Sequence, residues 1–148
     1  MQHSNRWLVV VPVIASLAFL ACQQPSGAHE TEHPAEVEPI NGSELSRVTL
    51  SERAIERLDL QTDQVREEQV SRSTSPQKVV PYSALIYDPS GTTWVYTSPA
   101  PRTFVRHQVE VDYIEGDVAI LSEGPPTGTV VASVAVAELY GTEFEVGH

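Results

Sequence analysis

The sequence predicts a mainly β domain, a small β-barrel or sandwich with one short α-helix, preceded by a signal helix and a disordered tether. Three observations indicate this class: short apolar runs separated by turns, one capped amphipathic segment, and an acidic, proline-containing stretch before it. With 41% hydrophobic residues, the chain has enough apolar side chains for a packed core. The predicted boundaries are 1–21 for the signal peptide, 22–46 for the tether and 47–148 for the β domain.

The N-terminus has the pattern of an export signal. Arg6 precedes an apolar run from Leu8 to Ala21. As a helix this run would reach about 21 Å, short of the roughly 30 Å hydrocarbon core of a bilayer. Pro12 weakens such a helix further. A basic start, a short apolar stretch and then small residues are typical of a secretory signal and not of a transmembrane span.

Cys22, the single cysteine of the chain, directly follows that run. The sequence Phe19-Leu20-Ala21-Cys22 resembles the bacterial lipobox, in which signal peptidase cuts before a diacylated cysteine. We therefore expect Cys22 to be a lipid attachment site, since two acyl chains are enough for stable anchoring in a bilayer. The protein would then be exported and held at the extracytoplasmic face of the cell envelope. Cleavage after Ser26-Gly27-Ala28 and an uncleaved N-terminal anchor are the two alternatives.

From Gln23 to about Ser46 the chain contains Pro, Gly and several Glu residues and has no apolar period, which predicts a flexible tether. His29 and His33 lie four residues apart with carboxylates between them. This spacing could hold a divalent metal ion if the segment were helical. Pro34 disfavours a helix at this point. A solvated acidic tether and a metal site are therefore the two interpretations of this segment.

The folded part is predicted to begin with a helix. Ser51 is a suitable N-cap for a helix from Glu52 to about Leu58, with Ile55 on its buried side. After Leu60, every segment is predicted to be strand or turn. The predicted strands are 60–65, 78–87, 94–97, 104–116, 118–122 and 129–139, with turns at 88–91, 98–103, 115–117 and 124–128.

The clearest alternation of apolar and polar residues lies in the predicted strand 104–116. One face would carry Val109, Val111 and Tyr113, and the other Gln108, Glu110 and Asp112. Pro81 interrupts the strand 78–87 and indicates an edge position or a bend.

Several of these segments resemble one protein family. VPYSALIYDPSGTTWVYT (80–97), FVRHQVEV (104–111) and GPPTGTVVASVAVAELYGTEF (124–144) resemble the C-terminal part of the periplasmic adaptor subunits, or membrane fusion proteins, of resistance-nodulation-division efflux pumps. VTLSERAIERLDLQTDQV (48–65) resembles the segment that opens the same adaptors. In that family both ends of the chain meet in a membrane-proximal β domain. Here only the connector 66–78 joins them, in place of the lipoyl, hairpin and further barrel regions.

The resemblance implies a non-enzymatic envelope lipoprotein that docks on, or assists, a resistance-nodulation-division transporter or a full-length adaptor. Glu110, Asp112 and Arg106 are the residues expected to face such a partner, although a charge row also suits the solvated side of a strand. The alternative is an extracytoplasmic lipoprotein that binds a metal or another ligand, with His29 and His33 as the metal-binding residues. No cofactor is expected.

Composition and motifs exclude several other classes. The formal net charge of −11 repels phosphate backbones, so that no nucleic-acid binding is expected. A single cysteine excludes an internal disulfide framework, a zinc ribbon and a CxxC redox pair. No G-x-S-x-G elbow, phosphate-binding loop or HExxH motif accompanies His107 in the predicted fold, so that no catalytic activity is expected.

Overall fold

The computed structural model of the chain describes residues 33–144, and this part is mainly β, as predicted. The strands are β1 (Ala35–Pro39), β2 (Ser46–Leu50), β3 (Thr62–Gln64), β4 (Arg66–Glu68), β5 (Gln77–Pro81), β6 (Ile86–Tyr87), β7 (Thr93–Ala100), β8 (Thr103–Gln108), β9 (Glu110–Glu115), β10 (Val118–Glu123) and β11 (Val130–Ala132). The helices are α1 (Glu52–Leu58) and α2 (Val136–Glu143), and Tyr82–Ala84 forms a 3₁₀ turn.

The strands form two antiparallel sheets. The first sheet has the order β1-β2-β8-β7-β11-β3, with β6 also paired to β7, and the second has the order β4-β5-β10-β9. The chain passes from the first sheet to the second at Val65, between β3 and β4, and again at Val109, between β8 and β9. Both valines are buried, so that these short crossings tie the two sheets together through the core.

Small aliphatic side chains from both sheets form the central core. Because they come from facing strands of the two sheets, the fold is a sandwich whose interior is filled by short side chains. The members of this cluster are Val65, Val80, Ala84, Leu85, Val95, Val109, Ala119, Leu121 and Val131.

The other face of the first sheet is covered by the two helices. Val95 packs in the central core while the adjacent Tyr96 packs on the helical side, as the two-residue period of a strand requires. The second cluster contains Val48, Leu50, Tyr96, Phe104 and Ala132 from the sheet region, and Ala54, Val136 and Leu139 from the helices. The order of layers is therefore helices, first sheet, second sheet.

Helix α1 has the bounds that the sequence predicts. The Ser51 hydroxyl accepts a hydrogen bond from the Ala54 backbone N–H at 3.2 Å, which satisfies one of the free donors of the first turn. Asp59 ends the helix in the left-handed conformation, with φ of 47°. Ile55 and Leu58 pack against the second cluster, as expected from their spacing.

Helix α2 differs from the prediction, which has strand throughout 129–139 and a single helix in the fold. Only Val130–Ala132 is a strand, and the chain turns at Ala135, whose φ is 64°, into the helix. This helix has no side-chain N-cap, so that the sequence carries no start signal for it. The burial of Val136 and Leu139 against the first sheet favours the helix at this position.

Strand β1 differs from the tether predicted over 22–46. Residues 35–39 pair with β2, with Val37 opposite Val48, and the Val37 side chain packs on the second cluster. Glu36 and Glu38 are exposed on the opposite face. A strand can form here despite the acidic composition because half of its side chains need no burial. The signal peptide and residues 22–32 of the tether lie outside the described residues.

Residues 66–78, predicted as a polar connector, contain β4 and the beginning of β5. Between these strands the segment Gln69–Pro76, here called the strap, crosses the outer face of the second sheet. Its Val70 is 4% exposed and packs against Val79 and Ile120. The strap therefore covers apolar side chains of the second sheet that would otherwise face solvent.

Pro81 is the last residue of β5, and the chain bends there into the 3₁₀ turn before β6. The predicted bend is confirmed. The edge position is wrong, because β5 lies between β4 and β10. The predicted turn at 88–91 is present, with the Gly91 N–H donating to the Asp88 carbonyl oxygen at 2.9 Å.

Candidate docking surface

Glu110 and Asp112 lie on β9, the strand at one edge of the second sheet. Both side chains are exposed. Strand β9 pairs with β10 alone, so that within residues 33–144 its outer row of backbone N–H and C=O groups has no strand partner. The two acids therefore stand beside an open sheet edge.

The register of β9 against β10 shifts at Asp112. Tyr113 is opposite Ile120 and Val111 is opposite Leu121, which leaves Asp112 as an extra residue in a β-bulge. As a result Val111 packs against the central core, whereas Tyr113 packs on the outer face beneath the strap. The prediction that these two side chains share a face is wrong, because a bulge resets the two-residue period.

The acids around this edge outnumber the cations beside it, of which Arg72 lies over the Tyr113 ring of β9. Glu123 is directly opposite Glu110 in the register, an arrangement in which like charges repel. Within the described part of the chain, Glu110, Asp112, Asp117 and Glu123 take no part in the ion pairs, which are formed by Arg47, Arg66 and Arg106. The edge of β9 therefore carries an excess of negative charge.

Ile114 extends the apolar inner face of the second sheet to this edge. Its neighbour across the register, Ala119, is 0% exposed and belongs to the central core, whereas Ile114 is 41% exposed. The apolar inner face of the second sheet therefore extends onto β9, where it is partly exposed to solvent. A further strand beside β9 would be positioned to cover Ile114.

The strap holds the far end of β9. The Ser71 hydroxyl and backbone N–H donate to the Glu115 carboxylate at 2.6 and 3.1 Å. These hydrogen bonds from Ser71 lower the pKa of Glu115 below its usual range. The Arg72 guanidinium lies 4.6 Å from the centre of the Tyr113 ring. The strap therefore holds β9 from the outer face of the sheet. The edge of β9 that points away from β10 has no strand partner within residues 33–144.

Arg106, expected to face a partner, is instead buried, with 6% of its side chain exposed. It is opposite Tyr96 in the register of β8 and β7, and so points to the helical side of the first sheet. Its Nε donates to Glu143 Oε2 at 2.7 Å. The expectation is corrected because a buried guanidinium requires a buried carboxylate, and Glu143 of α2, with 1% of its side chain exposed, supplies it.

The Glu143 carboxylate accepts three hydrogen bonds. Besides Arg106, the Tyr96 hydroxyl donates to Oε2 at 2.7 Å, and the Ser46 N–H donates to Oε1 at 3.3 Å. Burial, followed by the hydrogen bond to Glu143, raises the pKa of Tyr96 far above its usual value. The Arg106 guanidinium also lies 4.6 Å from the centre of the Trp94 ring and 4.7 Å from that of Phe144.

Through these three hydrogen bonds, the Glu143 carboxylate connects the end of α2 to the first sheet. Glu143 is not among the residues for which the sequence predicts a role. A signal for it exists in the spacing of Phe104 and Arg106, which places both on one face of a strand. An arginine on an apolar face needs an acid from elsewhere in the chain. The sequence does not say which acid, because Glu143 is 37 residues away.

Asp88 orders the turn between β6 and β7. Its Oδ1 accepts hydrogen bonds from the Ser90 hydroxyl at 2.6 Å and from the Ser90 and Thr92 N–H groups, and its Oδ2 accepts from Trp94 Nε1 at 3.0 Å. The hydrogen bonds from Ser90 and then Trp94 lower the pKa of Asp88 to about 2. This carboxylate positions Trp94, and its polar atoms are used within the turn.

Cys22 and His29 lie outside the described residues. His33 is described and is exposed at the beginning of the fold. Among residues 33–144, no group of three or more His, Cys, Asp or Glu side chains is arranged to hold a metal ion. No helix in the same range combines the length and the apolar character needed to cross a membrane.

Comparison with known proteins adds no relative. No protein-family model matches the chain, and neither a curated protein nor a solved structure is significantly similar to it.

Proposed function

We propose that this chain is a non-enzymatic lipoprotein of the bacterial cell envelope that docks on, or assists, a transporter complex. The mode of action would be that of the membrane-proximal domain of an efflux adaptor. The resemblance rests on residues 48–65 and on segments between 80 and 144, which the connector 66–78 separates. The supporting observation is that strands from both parts pair in the first sheet and pack in the second cluster.

The contacts between these stretches are extensive. Strand β2 pairs with β8, where Val48 is opposite Phe104, and β3 pairs with β11, where Asp63 is opposite Val131. Leu50 packs in the same cluster as Leu139 of α2. In the adaptor family these two parts of the chain form one domain. Residues 48–65 lying apart from the later strands would therefore have contradicted the resemblance.

The connector supports docking and not bridging. In full adaptors the missing hairpin reaches the outer-membrane channel. Here residues 66–78 hold only β4, the strap and the first two residues of β5. Residues 33–144 would offer a partner the acidic edge of β9, and this part of the chain contains no hairpin arm that could connect two partners.

The lipid anchor is tested by acylation of Cys22. The full chain is expressed in a bacterial host that is fed an alkyne-tagged palmitate, beside the variants Cys22→Ser and Ser26→Ala. We expect label in the wild type and in Ser26→Ala, both in the membrane fraction, and none in Cys22→Ser. Equal labelling of Cys22→Ser, or none in the wild type, would refute the anchor.

Docking is tested by co-purification of the resistance-nodulation-division transporters of the source bacterium with the tagged full chain. The double variant Glu110→Lys/Asp112→Lys should reduce the recovered transporter, because it reverses the charge of the proposed contact. Glu67→Lys is the control, since it changes a charge on the opposite edge of the same sheet. Failure to recover any transporter or adaptor with the wild type would contradict the proposal.

A further inference from the structure

The edge of β9 has the features of a site for strand addition. It is a six-residue strand with one side paired to β10 and the other side unpaired within the described residues. A partner segment in an extended conformation can satisfy such backbone groups with its own. The regular part of the edge is Tyr113–Glu115, beyond the bulge, where pairing with β10 has no shift.

The inner face shows where such a segment would gain apolar contact. Ala119 is completely covered, whereas Ile114 beside it, on the last strand of the sheet, is 41% exposed. A strand added to β9 would place its own side chain next to Ile114 on the same face. This contact would cover the apolar surface that the domain itself leaves open.

The charges at this edge determine which kind of segment fits. Glu110 and Asp112 are exposed and without ion-pair partners in residues 33–144, and Asp117 lies in the adjoining hairpin. A second copy of this chain would bring the same acids and be repelled, which is a common way of preventing sheet edges from associating. A basic segment would be attracted instead.

The other edge strands of the two sheets, β1, β3 and β4, lack this combination. Strand β3 has only three residues. On β1, Glu38 is paired with Arg47 at 3.5 Å. On β4, Arg66 is paired with both Asp63 and Glu68. Strand β4 also has only three residues, whereas β9 has six. Charge, length and apolar exposure therefore coincide at β9.

We propose that β9 binds an extended, basic segment of a partner protein, which adds to the second sheet as a fifth strand. The proposal rests on the docking proposed above and specifies its mode. Lysine or arginine side chains of the segment face Glu110 and Asp112, and an apolar side chain covers Ile114. Main-chain hydrogen bonds provide affinity, and the charges provide selectivity.

The test uses the full chain in non-ionic detergent and a synthetic probe peptide of about nine residues, a typical strand length, in which lysine alternates with valine and threonine. A peptide with glutamate in place of lysine is its control. Hydrogen–deuterium exchange should show that the basic peptide slows exchange of those backbone N–H groups in 113–115 that point away from β10, by about tenfold at saturation. The acidic peptide should leave these amides unchanged.

Two variants identify the edge. Asp112→Lys should weaken binding of the basic peptide by about tenfold, whereas Glu67→Lys, which changes the net charge equally on the opposite edge, should retain wild-type affinity. Glu110→Lys is a second variant in case the bulge at Asp112 does not tolerate lysine. Protection at β1 or β4, no protection with millimolar peptide, or equal weakening by the variants at β9 and at Glu67 would overturn the proposal.

This experiment is independent of the co-purification above. Peptide binding at β9 without recovery of a transporter would leave strand addition standing and refute the transporter as the partner. Recovery of a transporter that does not depend on Glu110 and Asp112, together with no peptide protection at β9, would refute strand addition and leave docking standing through another surface.

Discussion

Replacing Arg106 by methionine should remove much of the stability of the domain. The Nε–Glu143 Oε2 distance is 2.7 Å, and the two side chains are 6% and 1% exposed. Methionine has a similar volume and can keep contact with the Trp94 and Phe144 rings. The main effect is therefore the Glu143 carboxylate left buried without a cation, which costs about 3–5 kcal/mol. The total free energy of unfolding of a typical folded protein is about 5–15 kcal/mol.

Urea unfolding followed by far-ultraviolet circular dichroism measures this loss. In thermal unfolding followed by the same signal, the melting temperature should fall by about 12–20 °C. Arg47→Met is the matched control. The Arg47–Glu38 ion pair has a distance of 3.5 Å and both of its side chains are exposed, so that its loss should cost at most about 1 kcal/mol. The double variant Arg106→Met/Glu143→Leu removes both buried charges and should cost clearly less than the sum of its single changes.

Two results would refute this reasoning. One is a cost for Arg106→Met no larger than that for Arg47→Met, which would mean that the buried carboxylate is stable without its cation. The other is strict additivity in the double variant, which would mean that the two side chains act independently. Either result would remove the ion pair as the fastening of α2.

Two further predictions concern a turn and the helix. The pKa of Asp88 lies at about 2, below its usual 3.8, so that hydrogen bonds from Ser90 and Trp94 stabilise the fold above pH 3.8 and are lost as pH falls towards 2. Asp88→Asn should therefore be less stable than the wild type at pH 6, and urea midpoints should converge near pH 2; a constant gap would contradict this. Leu139→Ala should cost about 2–5 kcal/mol in urea unfolding because Leu139 is 0% exposed, whereas the exposed Glu138→Ala should change stability by at most about 0.5 kcal/mol. Equal effects would place Leu139 outside the core.

Elements with local signals could be predicted from the sequence. Helix α1 has its cap at Ser51 and its apolar spacing within a few residues, and its observed bounds agree with the prediction. The turn at Asp88 and the hairpin at Gly116 likewise depend on residues inside the turn, and Gly116 has φ of 58°, which glycine adopts readily. Glu110 and Asp112 are exposed, as the polar face of the predicted strand requires, although Asp112 is the extra residue of the bulge.

Elements stabilised by distant residues could not be predicted. Strand β1 is acidic and becomes a strand through its pairing with β2 and the packing of Val37. Helix α2 has no N-cap side chain, and its last residue, Glu143, is held by Tyr96 and Arg106, 47 and 37 residues away. The shift at Asp112 depends on the partner strand. None of these contacts is visible in a local pattern.

The sequence by itself therefore determined the β class, the first helix, the turns at Asp88 and Gly116 and the acidic character of the β9 segment. These follow from backbone preferences and side-chain periods that act within a few residues. The predicted turn 98–103 is shorter than expected, because β7 continues to Ala100. Only the tertiary structure decided that Arg106 is buried, that Glu143 balances it, and that β9 lies at an open edge beside an uncovered Ile114. Burial and edge position are properties of the assembled sheets, because each depends on which strand lies next to which.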